Sequence, residues 1–192
     1  MVEEQRLQEP PRLLLFDPLA VPGALLELAA DREPVVVLTA SWHERDTQSL
    51  VGRLGAPVYV PPPDTQEDLM QKFGVTAEQA TGGSPDVAWL LAGGGGEAHL
   101  YSVGDRLPIG IEVFPGREHN DVVLWIEGRG TVVAGDSLVD FGRGFEINPR
   151  RQGVTREQIA ERLRPLLGLP VEVVLPAHGA PTDRAVLERA LS

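Results

Sequence analysis

The sequence predicts a layered α/β fold, and three observations carry that prediction. Apolar runs alternate with helix-spaced segments through the first third. Short β-branched runs separated by polar turns fill the middle. Helix and strand patterns return at the end.

Taken in order, RLLLF (12–16) reads as the first strand. PGALLELAAD (22–31) has helical apolar spacing with Pro22 near its start. VVVLT (35–39) is β-branched and wholly apolar, as a strand buried on both faces requires. ERDTQSLVGRLG (44–55) reads as a helix stopped by Gly55, and PVYV (57–60) as the next strand. This β-α-β-α-β rhythm predicts parallel pairing through right-handed crossovers. Thr65 is placed to cap a helix over QEDLMQKF that stops at Gly74. Residues 75–87 and the run Gly93–Gly96 read as loop and turn. AHLYSV (98–103), PIGIEVF (108–114), DVVLWIEG (121–128) and GTVVAGD (130–136) read as strands in hairpins. Glu127-Gly128-Arg129-Gly130 is a tight turn between the last two. The Gly/Pro-rich stretch 142–153 reads as a surface loop. Thr155 and Gln158 form a capping box for a helix to Leu167. VEVVLP (171–176) is the last strand, and Thr182 is expected to cap the last helix. At 192 residues with no internal repeat, the chain is expected to form one domain over 1–192.

Composition narrows the function. The chain is 42% hydrophobic and 23% charged, enough to bury a full core. It carries 28 acidic against 17 basic residues, a net charge of −11, with its arginines scattered. That balance argues against nucleic acid and against an anionic membrane as partners. No apolar run nears the ~20 residues of a membrane span. The polar start MVEEQRLQEPPR shows no secretory signal, so a cytoplasmic location is the expectation. Without cysteine, a metal must be held by His, Asp or Glu. Lys72 is the only lysine. No Gly-Lys-Ser/Thr follows Gly93–Gly96, and neither GxGxxG nor GxSxG occurs. A phosphate loop, a dinucleotide fold and a serine hydrolase are therefore unsupported.

The chemistry gathers in loops after strands, where α/β folds place function. These loops are Ala40-Ser41-Trp42-His43-Glu44-Arg45-Asp46, Gly116-Arg117-Glu118-His119-Asn120-Asp121, Asp136-Ser137 and Ala177-His178-Gly179. Three of the four histidines of the chain lie there. Imidazole and carboxylate on converging loops are the donors of a zinc, iron or manganese site.

In chain order, VVVLT–ASWHERD, FPGREHND, VVAGDSL and VVLPAHGAP resemble the metallo-β-lactamase fold superfamily. Its pattern is a strand ending in LT, then HxHxDH, PGH, a GD after a hairpin, and a strand ending in GHG or AHG. The resemblance runs from the first strand to the end of the chain. It implies a four-layered αββα sandwich with a dinuclear hydrolytic site at one sheet edge. Few residues precede VVVLT, so a shortened N-terminal sheet is expected. The pattern departs at the ligand positions. Without a gap, HxHxDH falls on Ala40, Trp42, Glu44 and Arg45, and the PGH histidine on Arg117. A one-residue bulge after Thr39 selects Ser41, His43, Arg45 and Asp46 instead. Asp136 and His178 match.

Two functional readings follow. In the first, the dinuclear site is dismantled, and Arg45 and Arg117 bring positive charge to Asp136. The protein is then non-catalytic or weakly active, holds no cofactor, and its old cleft takes a small molecule or a protein. In the second, one divalent metal (zinc, iron or manganese) sits on His43, Asp46, Asp136 and His178. The protein is then a mononuclear hydrolase of an ester, thioester, amide or phosphoester. His43 and Asp136 are its catalytic candidates, and Arg45 and Arg117 hold an anionic part of the substrate. Plainer roles stay open as well. His178 could bond a loop carbonyl, Asp136 could brace its turn, and His43 and Asp46 could belong to the first turn of the following helix. His119 reads as a solvated loop residue.

Overall fold

The computed structural model describes residues 11–80, 97–148 and 154–192. The turn expected at Gly93–Gly96, the first ten residues, and parts of 75–87 and 142–153 lie outside them. The parallel half forms as its pattern predicts. Strands β1 (Arg12–Phe16), β2 (Glu33–Val37), β3 (Val58–Val60) and β4 (Ala98–Leu100) make one four-stranded sheet in that order. All of its pairings are parallel. The second sheet holds β5 (Arg106–Leu107), β6 (Ile111–Glu118), β7 (Asp121–Ile126), β8 (Thr131–Gly135) and β11 (Val173–Pro176), in the order β11-β8-β7-β6-β5. Its pairings are antiparallel except β11 with β8. A two-stranded ribbon joins β9 (Leu138–Val139) to β10 (Glu146–Ile147).

Side-chain alternation along the strands builds the layers. In β2 and just beyond it, Val36 and Leu38 pack with Leu50 and Val51 of α2 (Thr47–Leu54), while Val35 and Val37 face the other way. In β7, Val122 and Leu124 meet those valines, and Val123 and Trp125 pack against α4 (Arg156–Leu163) and α5 (Arg184–Ala190). The middle core of Val35, Val37, Val122, Leu124 and Val133 therefore belongs to both sheets. Helix, sheet, sheet, helix is the resulting order, with α1 (Gly23–Glu27), α2 and α3 (Gln66–Phe73) in the first half of the chain.

Local signals set most of the ends. Thr65 and Asp68 form a full capping box on α3, and Gly74 ends that helix in the left-handed region. Thr155 and Gln158 do the same for α4. Gly55 closes α2.

Four expectations are corrected. β4 pairs in parallel with β3 rather than opening the hairpin series, because the α3 crossover returns the chain to the first sheet. The last helix is capped by Asp183, whose carboxylate accepts the Val186 N–H at 3.0 Å, while Thr182 is drawn into a bridge with Val174. The segment after β2 opens with a short 3₁₀ turn, Ser41–His43, so α2 starts at Thr47 rather than residue 44. The segments at 22–31 and 156–167 each end as 3₁₀ turns, at Leu28–Asp31 and Arg164–Gly168. Among the described residues no helix is long and apolar enough to cross a membrane.

Candidate functional site

The ends of β1, β2, β6, β8 and β11 bring their following loops to one end of the two sheets. Asp17, directly after β1, is buried and has φ of 42°, a left-handed conformation that costs a non-glycine residue strain. Its carboxylate accepts the Thr39 N–H at 2.8 Å and the Thr39 hydroxyl at 2.6 Å. It also faces His43 Nδ1 at 3.0 Å. The other nitrogen of His43, Nε2, lies 3.4 Å from Asp136 Oδ1. The His43 ring is only 3% exposed. Burial alone pulls its pKa down, but contacts with Asp136 and Asp17 outweigh that and push it up to about 9. His43 is therefore an imidazolium at neutral pH, held between two carboxylates.

Arg117 is the second buried cation, at 3% exposure. Its Nε donates to Asp121 Oδ2 at 2.8 Å, and its NH2 donates to Asp136 Oδ2 at 3.3 Å. The backbone around it is fixed closely. Ser137 Oγ accepts the Arg117 N–H at 2.8 Å, and Arg162 donates to the Arg117 carbonyl at 2.6 Å. Gly116 makes this possible, because a Cβ there would lie 2.1 Å from the Asp121 carbonyl oxygen and 2.5 Å from Ser137 Oγ. Asp121 is fully buried. Desolvation raises its pKa against the pull of Arg117, and Asp136 adds to the rise, leaving it at about 7. Asp136 goes the other way. Its partial burial is overcome by His43, Arg117 and His178, which hold its carboxyl well below the usual range.

The third cation is Lys72 of α3, the only lysine. Its ammonium contacts Asp64 and Glu118 and donates to Asn120 Oδ1 at 3.2 Å. It also lies 4.9 Å from the ring centroid of Trp42. Arg117 Nε is 3.9 Å from Glu118 Oε1. The contacts thus form one ladder of alternating sign: Asp17, His43, Asp136, Arg117, Glu118, Lys72, Asp64.

The residues singled out from the sequence divide by position. His43, Asp136 and Arg117 meet in this ladder, and His178 reaches its rim with Nε2 3.5 Å from Asp136 Oδ1 and its ring against Phe141. Arg45 is elsewhere: its NH1 donates to the Asp17 carbonyl at 3.1 Å, and its own φ is 44°. Asp46 turns its carboxylate to the Ala20 N–H. His119 is half-exposed, 3.6 Å from Asp68. Asp17, Asp64 and Lys72 have no place in the motif pattern, and Asp121 enters it only as the end of FPGREHND. Only the uniqueness of Lys72 singled it out in advance.

The donor set gives a fit test for metals. A dinuclear centre needs lone-pair donors, and Arg117 stands among these carboxylates with N–H groups only. For one metal, Asp136 Oδ1 has no aligned hydrogen bond, and both histidine Nε2 atoms face it. Among the described residues, Asp64, Asp68 and His119 bring three potential ligand atoms within 4.8 Å of one another. Lys72 already occupies Asp64 there, and Asp68 is committed to Thr65 in the capping box of α3.

No protein-family model matches the sequence, and no curated protein does. Solved structures do. A di-iron-bound form of TTHA1623 shares 26% identity, with a TM-score of 0.59 over 92% of this chain and 87% of that one. The archaeal metallo-β-lactamase superfamily protein ST1585 from Sulfolobus tokodaii shares 16%, with a TM-score of 0.62 over 95% and 76%. The BLEG-1 B3 metallo-β-lactamase shares 19%, with a TM-score of 0.59 over 92% and 85%. The chain has the metallo-β-lactamase fold. In that frame, the loops of this metallo-β-lactamase-fold chain that carry Asp136, His178 and Arg117 are those on which the sequence resemblance rests.

Proposed function

We propose that this metallo-β-lactamase-fold chain is a divergent member whose dinuclear centre is replaced by its own cations. It is non-catalytic or weakly active, and its cleft holds a small molecule or a partner protein. The observation that carries this reading is the Arg117 guanidinium, bonded to both Asp121 and Asp136. A guanidinium keeps its charge at any ordinary pH and offers no lone pair. Beside it, the His43 imidazolium takes the second face of Asp136. Together these cations pair the buried carboxylates without a metal.

Metal analysis of protein purified without chelator tests this. The expected result is well under one equivalent of zinc, iron or manganese, with none taken up on addition. One equivalent that is lost in both Asp136→Ala and His178→Ala overturns it.

One observation favours a second reading. Asp136 Oδ1, His43 Nε2 and His178 Nε2 face one another, and a similar structure is described as di-iron-bound. In that case His43, Asp136 and His178 hold a single divalent metal, which supplies Lewis acidity and an acidified water for hydrolysis. His43 must first give up its proton, so uptake should strengthen as pH rises toward 9. Metal bound at pH 9 but absent at pH 6 supports this second reading.

A further inference from the structure

Among the described residues, the seam where the two sheets meet at their β1 and β11 edges is open. Both strands are terminal in their sheets. Arg12, Leu14 and Phe16 share one face of β1, since side chains at i, i+2 and i+4 point the same way. With Ile109, Ile126 and Leu175 they line a groove of about 750 Å³. Leu14, Phe16, Ile109, Ile126 and Leu175 are all only partly buried fringe residues of the core between the sheets. A second hollow of about 220 Å³ shares Phe16 and Leu175 with the first and ends at Asp17, Arg45 and Ala177. The two make one apolar trough running along β1 toward the site.

Charge along the trough is asymmetric. Arg12 and Arg129 stand at the outer part, and Arg45 at the inner end. Arg12 has Glu33 at 3.7 Å. No carboxylate faces Arg45 or Arg129 among the described residues, and Arg45 commits one nitrogen to the Asp17 carbonyl. The Asp17 carboxylate is turned to Thr39 and His43 instead. On a chain of net charge −11, three arginines on one apolar trough are a local reversal of sign.

We propose that this trough binds a single-chain amphiphile with an anionic headgroup, a fatty acid in its simplest form. The alkyl chain lies on Leu14, Phe16, Ile126 and Leu175, and the carboxylate pairs with the Arg45 guanidinium. The four-residue step from Arg12 to Phe16 covers about 13 Å, the length of roughly ten extended carbons. The pocket volume is in the range of ordinary small-ligand sites. This site does not depend on whether the Asp136 cluster holds a metal.

Calorimetric titration of the whole chain with dodecanoate, below its micelle concentration, tests the proposal. Dodecanoate should bind, and dodecyltrimethylammonium, of equal chain length and opposite charge, should bind at least tenfold more weakly. Shortening the acid should weaken binding by up to about fourfold per methylene. Arg45→Gln should cost tenfold or more for the acid and should not weaken the cationic amphiphile, so the preference between the two narrows. Ile109→Trp, on a loop at the trough wall, should abolish binding with an unchanged melting temperature. The proposal is overturned by no binding of dodecanoate to the folded wild type, or by equal binding of both amphiphiles. Wild-type affinity in both Arg45→Gln and Ile109→Trp overturns it as well.

Discussion

At the scale of single residues, Arg117 decides most. It is the cation for Asp121, which has no exposure, and it shares Asp136 with His43. Arg117→Ala strands a buried carboxylate, and breaking such a pair costs about 3–5 kcal/mol. Urea unfolding should show a loss of that order. A loss below about 1 kcal/mol would mean the guanidinium is not the counter-charge. Titration gives a second residue-scale expectation. The folded pKa of His43, about 9, lies above its ordinary 6.5, so its stabilisation is complete below 6.5 and fades as pH rises through 9. Asp121 is raised from 3.8 to about 7, so its contribution also falls as pH climbs through that interval. Asp136 is depressed, so its stabilisation holds above 3.8 and is lost in acid. Taken together, the three place maximal stability in acid, above the range where Asp136 takes up its proton and before Asp121 and His43 lose theirs. Melting temperature should drop between pH 6 and pH 9.5, and His43→Gln should flatten that slope. A melting temperature that rises with pH would show that His43 is neutral in the folded chain.

At the scale of elements, α3 meets the second sheet through Lys72, with Asp68 adding a contact 3.6 Å from His119. Lys72, in its last turn, reaches Glu118 at the end of β6 and Asp64 before the helix. Lys72→Met keeps most of the stem but removes the ammonium shared by two buried carboxylates, Asp64 and Glu118, so about 3 kcal/mol of stability should go. Amides of α3 should also exchange faster than those of α4, whose capping box does not involve Lys72. Equal protection of the two helices in the variant would show that the Lys72 contacts are incidental. This element also marks the limit of what the sequence discloses. Thr65, Asp68 and Gly74 announce the helix and both its ends, because caps act over three or four residues. Nothing local announces that Lys72 will meet Glu118, which lies 46 positions away on another sheet. The same holds for Arg117. Its place in the PG–x pattern was legible, and its bond to Asp136 followed from the chemistry of that place. Asp17 was not legible, and Asp121 was legible only as the end of a polar loop, because burial turns ordinary carboxylates into site members only after the layers close. Arg45 was misjudged for a related reason: its left-handed backbone turns the guanidinium toward Asp17 and away from Asp136.

At the scale of the molecule, the two sheets share one core. Val35 and Val37 of the first sheet pack with Val122, Leu124 and Val133 of the second, all nearly without exposure. The ion-pair ladder crosses the same boundary, from Asp17 after β1 to Glu118 on β6. Neither sheet can open without exposing apolar surface of the other and parting these charges. Cooperative unfolding follows, although the chain divides visibly into a parallel half and an antiparallel half. Of the three tryptophans, Trp42 precedes α2 in the first half and Trp125 lies in the far core under α4, so fluorescence draws on both halves while far-ultraviolet dichroism reports the backbone of every element. Their urea transitions should coincide. Leu124→Ala, a change in the shared layer, should lower the midpoint of both signals together, by about 2–5 kcal/mol. If dichroism instead separates into two steps, with Leu124→Ala moving only one, the halves are independent folding units. The middle core would then be a docking surface between them.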